Sequence, residues 1–226
     1  MKVLHAAAFT AVIACSTVAQ AANVSFTGMF TQDDNVQLFN FSLGAAATVS
    51  IRTLSYAGGT NAAGSVIPAG GFDPSLTLFS TIGALITQND DGLGAVDDPR
   101  TFAAYDALIS RALQPGMYTV SLAQSGNFAR GPGLSNGFLR AGQGNYTSGA
   151  SFDPSCAGAT RFCDVSGFSP ANQRTGFFAV DFLNVDRASL GAAGGGVAVV
   201  PVPAALPLLA AGLGLLGIVG LRRRPG

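Results

Sequence analysis

The chain of 226 residues has no tryptophan and no glutamate, and its one histidine and one lysine, His5 and Lys2, lie at its extreme N-terminus. Past that terminus every acid is an aspartate and every cation an arginine. These absences exclude much chemistry. Without histidine there is no Ser-His-Asp or Cys-His arrangement, no imidazole base and no zinc centre of the His-containing kinds, and without lysine there is no Schiff base. No Asp-Thr-Gly or Asp-Ser-Gly of an aspartic protease occurs. Glycoside hydrolysis by two facing carboxyl groups stays open, with no indole to stack on the sugar. Between residues 22 and 199 twelve aspartates outnumber eight scattered arginines, which excludes a basic nucleic-acid surface.

What the chain does have is two apolar ends. Met1-Lys2, the apolar run Val3 to Ala14 and Ala19-Gln20-Ala21 read as a secretory signal peptide over residues 1–21, cut after Ala21. Val12-Ile13-Ala14-Cys15 loosely fits a lipobox, so acylation of Cys15 is the alternative. At the other end Val200-Pro201-Val202-Pro203-Ala204 opens an uncharged segment, 204–221, followed by Arg222, Arg223 and Arg224. Eighteen residues make a helix of about 27 Å, enough to cross a bilayer core. The arginines place the C-terminus in the cytoplasm and everything upstream on the other side. Pro201 and Pro203 disfavour helix and predict an extended, open backbone just outside the membrane. Gly212-Leu213-Gly214-Leu215-Leu216-Gly217 matches G-x-G-x-x-G, but no strand or βαβ unit surrounds it, so these glycines read as small packing residues of the span.

This array, a Val-Pro-x-Pro box, an apolar helix and a terminal arginine cluster, resembles the tripartite sorting signal of PEP-CTERM proteins in its VPxPA variant. The resemblance implies a Gram-negative host, processing by an exosortase at Val200, Pro201, Pro203 and Ala204, and association with exopolysaccharide or biofilm surfaces. It covers about the last twenty-five residues, with Pro225 and Gly226 trailing the arginines.

The segment between the ends reads as β throughout. Short runs rich in Phe, Val, Leu, Ile and Thr, bounded by Gly, Pro, Asn and Asp, predict strands over 24–30, 36–43, 47–55, 75–80, 84–88, 107–113, 117–123 and 176–185. Alternation would turn Val49 and Ile51, Leu76 and Leu78, Tyr118, Val120 and Leu122, and Phe178, Val180 and Phe182 inward. The apolar phase shift between Leu38 and Phe39 predicts a bulge or burial on both faces. With no long period-3.6 stretch before the C-terminal segment, the expected fold is an all-β, jelly-roll-like antiparallel sandwich over 22–187, plus one C-terminal transmembrane helix. Residues 188–199, rich in Gly and Ala, read as a flexible linker holding that sandwich off the membrane. Phe128 to Tyr146 reads as a long irregular excursion.

Landmarks from Phe72 to Phe128 resemble the bacterial pre-peptidase C-terminal domain. They are Asp73 before Leu76 and Leu78, Gly83 in a hairpin, Asn89-Asp90-Asp91-Gly92, and Pro115-Gly116 before Tyr118. This family is a non-catalytic β-sandwich module of secreted proteins, and similar domains sometimes hold calcium in such loops. Asp33 and Asp34 with Asp90 and Asp91 are therefore candidate Ca²⁺ ligands, although Asn89 to Gly92 also makes a good turn with no metal. Cys156 and Cys163, an even pair in an exported chain, predict a disulfide. Tyr56, Tyr105 and Tyr146 are either sugar contacts or partly buried residues with a polar tip. The expected function is a non-enzymatic surface or matrix protein, structural or adhesive, with exosortase, exopolysaccharide and the membrane as partners and no nucleic acid. The alternatives are a secreted polysaccharide hydrolase using acids such as Asp90 and Asp91, and an anchored calcium-binding module.

Overall fold

The computed structural model describes residues 22–92, 95–164, 173–194 and 200–202. The signal peptide, Pro203, Ala204, the apolar segment and Arg222 to Arg224 lie outside the described residues. Among the described residues no helix is long and apolar enough to cross a membrane.

Twelve strands form: β1 (Ala22–Met29), β2 (Val36–Leu43), β3 (Ala47–Thr53), β4 (Gly59–Thr60), β5 (Val66–Ile67), β6 (Pro74–Phe79), β7 (Leu85–Asn89), β8 (Leu108–Leu113), β9 (Gly116–Gln124), β10 (Phe177–Val185), β11 (Arg187–Gly194) and β12 (Val200–Val202). One sheet has the order β12-β1-β10-β3-β8 and the other β11-β2-β9-β6-β7, with β4-β5 as a separate ribbon. Every ladder between these strands is antiparallel. The molecule is thus an antiparallel β-sandwich, and all eight strands expected from hydrophobic patterning are present within a few residues.

The alternation that predicted the strands also fixes the faces. Val49, Ile51, Leu76, Leu78, Val120, Leu122, Phe178, Val180 and Phe182 are all buried in one core, with Tyr118 packed on its border. Phenylalanine supplies much of its bulk. Phe26 of one sheet meets Phe39 of the other at 5.1 Å between ring centres, and Phe182 reaches Phe39 and Phe41 at 5.4 and 5.8 Å. Truncating one such ring to alanine costs about 3–5 kcal/mol. Gly28 pairs with Phe178, whose ring occupies the space a side chain at 28 would need.

Three expectations are corrected. The linker read over 188–199 is not a spacer at its start: Arg187–Gly194 forms β11 and pairs with β2 from Arg187↔Ser42 to Gly194↔Val36. Glycine and alanine were read as flexibility, but a ladder uses backbone groups, and β2 offers a free edge to receive them. Of the two outcomes expected for β2, a bulge or burial on both faces, the bulge lies in its partner, while Val36, on the face away from Phe39 and Phe41, is buried as well. β2 runs in unbroken register with β9, whereas the register of β11 shifts between Leu190 and Ala193, opposite Leu38. A Cβ at Gly191 would sit 3.0 Å from that of Leu38, so glycine is what allows the strand past it. Val200, Pro201 and Val202, the described part of the expected sorting box, are extended as expected, yet not open: they pair with Thr27, Phe26 and Ser25. Proline is tolerated there because β12 is an edge strand.

The pairing gives the sandwich two unlike ends. At the proximal end the strands reverse through residues 44–46, 80–84, 114–115 and 186. At the distal end the connections are long, spanning 30–35, 54–73, 90–107 and 125–176.

Candidate functional site

Ten of the twelve aspartates, all but Asp181 and Asp186, lie in or beside the distal connections. The most buried group there is centred on Arg174, whose side chain has no exposure. Its Nη1 donates to Asp98 Oδ2 at 2.6 Å and its Nε to Asp164 Oδ2 at 3.3 Å. Its guanidinium lies 3.6 Å from the centre of the Tyr56 ring, close enough for a cation–π contact. Tyr56, itself fully buried, donates from its hydroxyl to Asp164. Burial alone would raise the Asp98 carboxyl, but the Arg174 hydrogen bond, the Arg100 N–H and the Arg174 charge outweigh it and hold it below the usual range. Burial likewise works against the charge on Arg174, and Asp98 with its neighbours outweighs it in turn, leaving the guanidinium more basic than usual.

Asp106 is the second anchor. Its Oδ1 accepts from Thr53 Oγ1 and from the N–H groups of Ser55 and Tyr56, and its Oδ2 from Ala57 N–H. One carboxylate therefore satisfies the backbone of the segment leaving β3, where no ladder partner is available. Asp33 and Asp34 do the same elsewhere. Asp33 Oδ1 accepts from Phe162 N–H at 2.6 Å, and its Oδ2 from the N–H and hydroxyl of Thr147. Asp34 Oδ2 accepts from Gly142 and Gly144 N–H, both at 3.0 Å. These bonds fasten the excursion and the cysteine loop to the β1–β2 turn. Burial still raises Asp33, despite the bonds that lower it.

Cys156 and Cys163 are joined as a disulfide, and Cys163 N–H donates to Thr147 Oγ1 at 2.9 Å. Phe162, between bridge and turn, is buried with φ of 49° and stacks on Phe72 at 5.6 Å. A bulky residue in the left-handed region is costly, and it persists where its neighbours over-determine it.

Asp73 differs from the others. Its Oδ1 is buried without a hydrogen-bond partner. Burial raises its carboxyl well above the ordinary value, and Asp164, Asp91, Asp90 and Asp106 raise it further. Asp91 is also raised, by partial burial and then by Asp90. The turn carrying these two is tied by Asn89, whose Oδ1 accepts from Leu108 N–H and whose Nδ2 donates to Asp91 O.

The candidate calcium ligands are therefore dispersed. Asp33 accepts from Thr147 and Phe162 and Asp34 from Gly142 and Gly144, while Asp90 and Asp91 belong to the β7–β8 connection. Among the described residues no group of three or more His, Cys, Asp or Glu side chains is placed to hold a metal ion. Of the tyrosines, Tyr56 is fully buried and meets Tyr105 edge-on at 5.1 Å. Tyr146 bonds Ser125 O through its hydroxyl, which burial makes much less acidic. Arg174 gave no local signal, because its two partners lie 76 and 10 residues away.

No family model matches the chain. No curated protein matches it either.

Proposed function

We propose that the chain is a non-enzymatic exported protein, carried to the envelope, surface or matrix of a Gram-negative bacterium by an exosortase acting at Val200, Pro201, Pro203 and Ala204. In this reading Arg222, Arg223 and Arg224 retain the cytoplasmic end of the span until processing. The sandwich is a jelly-roll-like module similar to the pre-peptidase C-terminal domain, with a structural or adhesive role beside exopolysaccharide. The observation that carries the reading is the ordered array of box, apolar segment and arginines from Val200 to Arg224. Two features of the fold support a scaffold over a catalyst. The acids Asp33, Asp34, Asp98, Asp106 and Asp164 are spent on internal hydrogen bonds, and the disulfide suits an oxidising compartment.

The test is the intact mass and both termini of the protein recovered from its host. An N-terminus at Ala22 and a C-terminus near Pro203, free or joined to another molecule, would support sorting. A chain still ending at Gly226 would overturn it and leave a plain anchored protein.

A further inference from the structure

Large apolar side chains are exposed at both ends of the sandwich, Val66, Val96 and Phe102 at the distal end among them, and two of them meet at the proximal end. Ile82, at the tip of the β6–β7 hairpin, is 89 % exposed, and Met117, at the start of β9, is 62 % exposed. The two are held side by side, because Thr81 Oγ1 donates to Met117 O at 2.7 Å. The excursion adds to this patch: it runs down the free edge of β7, with Leu85 N–H on Pro132 O at 2.7 Å and Leu134 N–H on Gly83 O at 2.8 Å. The β2–β3 turn contributes exposed Ala45 and Ala46. Charge is sparse here. Asp186 turns its carboxylate onto Gly44 N–H, while Arg187 is exposed.

Isolated exposed apolar residues are ordinary on a protein surface. What gives these a partner is the direction of the chain. β12 runs antiparallel to β1, from Val200 beside Thr27 to Val202 beside Ser25, so it heads for the end where β1 begins. Only Pro203 separates Val202 from Ala204, where the apolar segment starts. Two residues reach at most about 7 Å, and Ser25 is three residues from the start of β1, about 10 Å along a strand. With β11 taking up 188–194 of the expected linker and β12, from Val200, pairing with β1, no long tether is left between the sandwich and a bilayer.

We propose that the proximal end of the sandwich is a lipid-docking surface, which rests on the headgroup region with Ile82 and Met117 inserted. It rests on the membrane-anchor reading of residues 204–221. Arg187 then faces anionic headgroups, and the aspartate-rich distal end points away from them, the orientation that the surface potential favours. The module stands upright on the membrane, and the sorting box lies along its side as an edge strand beside the headgroups.

The absence of tryptophan makes a direct test available. The full chain is reconstituted into phosphatidylethanolamine and phosphatidylglycerol vesicles containing lipids brominated near the carbonyl end of the acyl chain or, separately, near its middle. It carries one tryptophan at a time: Ile82→Trp, Met117→Trp, Phe102→Trp at the distal end, or Leu216→Trp in the apolar segment. Docking predicts a blue-shifted emission for Ile82→Trp and Met117→Trp, quenched by the shallow bromines. Phe102→Trp keeps an aqueous emission, and Leu216→Trp is quenched by the deep bromines. Deep quenching at 216 with aqueous emission at both 82 and 117 overturns docking and leaves the anchor standing. Equal shallow quenching at 102 overturns the orientation. A Leu216→Trp chain that stays unquenched and does not float with vesicles overturns the anchor and docking together.

Discussion

The two ends of this sandwich close the same strands by different means. At the proximal end short turns suffice, held by single side-chain bonds such as Thr81 to Met117 O, Tyr118 to Gln114 O, Ala84 N–H to Ser80 Oγ and Gly44 N–H to Asp186. At the distal end the long connections cannot reach a ladder, so buried carboxylates replace it. Asp33 and Asp106 accept backbone N–H groups of these connections, and Arg174 joins Asp98 and Asp164. The difference is one of exposure of the backbone. A short turn leaves its peptide groups in water, whereas a long loop folded over a core buries them and needs built-in acceptors.

That contrast can be broken from its strongest point. Arg174→Leu removes the buried cation between Asp98 and Asp164, and should cost about 3–5 kcal/mol in urea denaturation of the sandwich. A loss under about 1 kcal/mol would mean that the pair is not holding the distal loops. Next comes the bridge. Replacing Cys156 and Cys163 together by serine should cost about 2.5 kcal/mol, the chain-entropy value for so short a loop, with limited proteolysis appearing first in the cysteine loop.

Asp73 sharpens the comparison in the opposite direction, since it is the distal acid without a partner for Oδ1. Its folded pKa is raised above 3.8, so its carboxyl favours the fold fully below that ordinary value and weighs against it as pH rises through the folded value. Asp73→Asn should therefore stabilise at pH 7 by about 1–3 kcal/mol, seen as a higher Tm, and the gain should vanish as pH falls below the ordinary carboxylate value. A variant less stable at pH 7, with a parent Tm that rises on adding Ca²⁺, would instead mean that Asp73 serves a cation.

The smallest effects belong to the proximal end. Thr81→Val removes one bond and should cost about 1 kcal/mol. Ile82→Ser should change the stability of the ectodomain in solution by less than about 0.5 kcal/mol. A large loss at Ile82 would show that its side chain supports the fold and is not spare surface.

Most of the fold was legible in the chain. Period-two runs such as Tyr118, Val120, Leu122 and Phe178, Val180, Phe182 announce their strands and their inward faces, because a sheet with one buried face imposes alternation residue by residue. β11 and β12 were not legible as strands. Gly191 and Pro201 carry no strand signal, and their pairing depends on a free edge supplied by β2 and β1. The candidate site was legible only in part. The turn at Asn89 to Gly92 and the Cys156–Cys163 bridge follow from local residue types, while the joining of Arg174 to Asp98 does not.

By itself, then, the sequence determined the composition of the core, the strand periods, the confinement of histidine and lysine to the first residues, and the order of segments from the apolar N-terminal run to the arginine tail. Only the tertiary structure decided which aspartates are spent inside, which one is left with a bare oxygen, and toward which end β12 carries the chain. Alternation and composition are written within a few residues of each other. Carboxylate partners are set by groups far apart in the chain, 49 residues for Asp106 with Ala57 and 156 for Asp181 with Ser25, whose meeting depends on how two sheets close on one core.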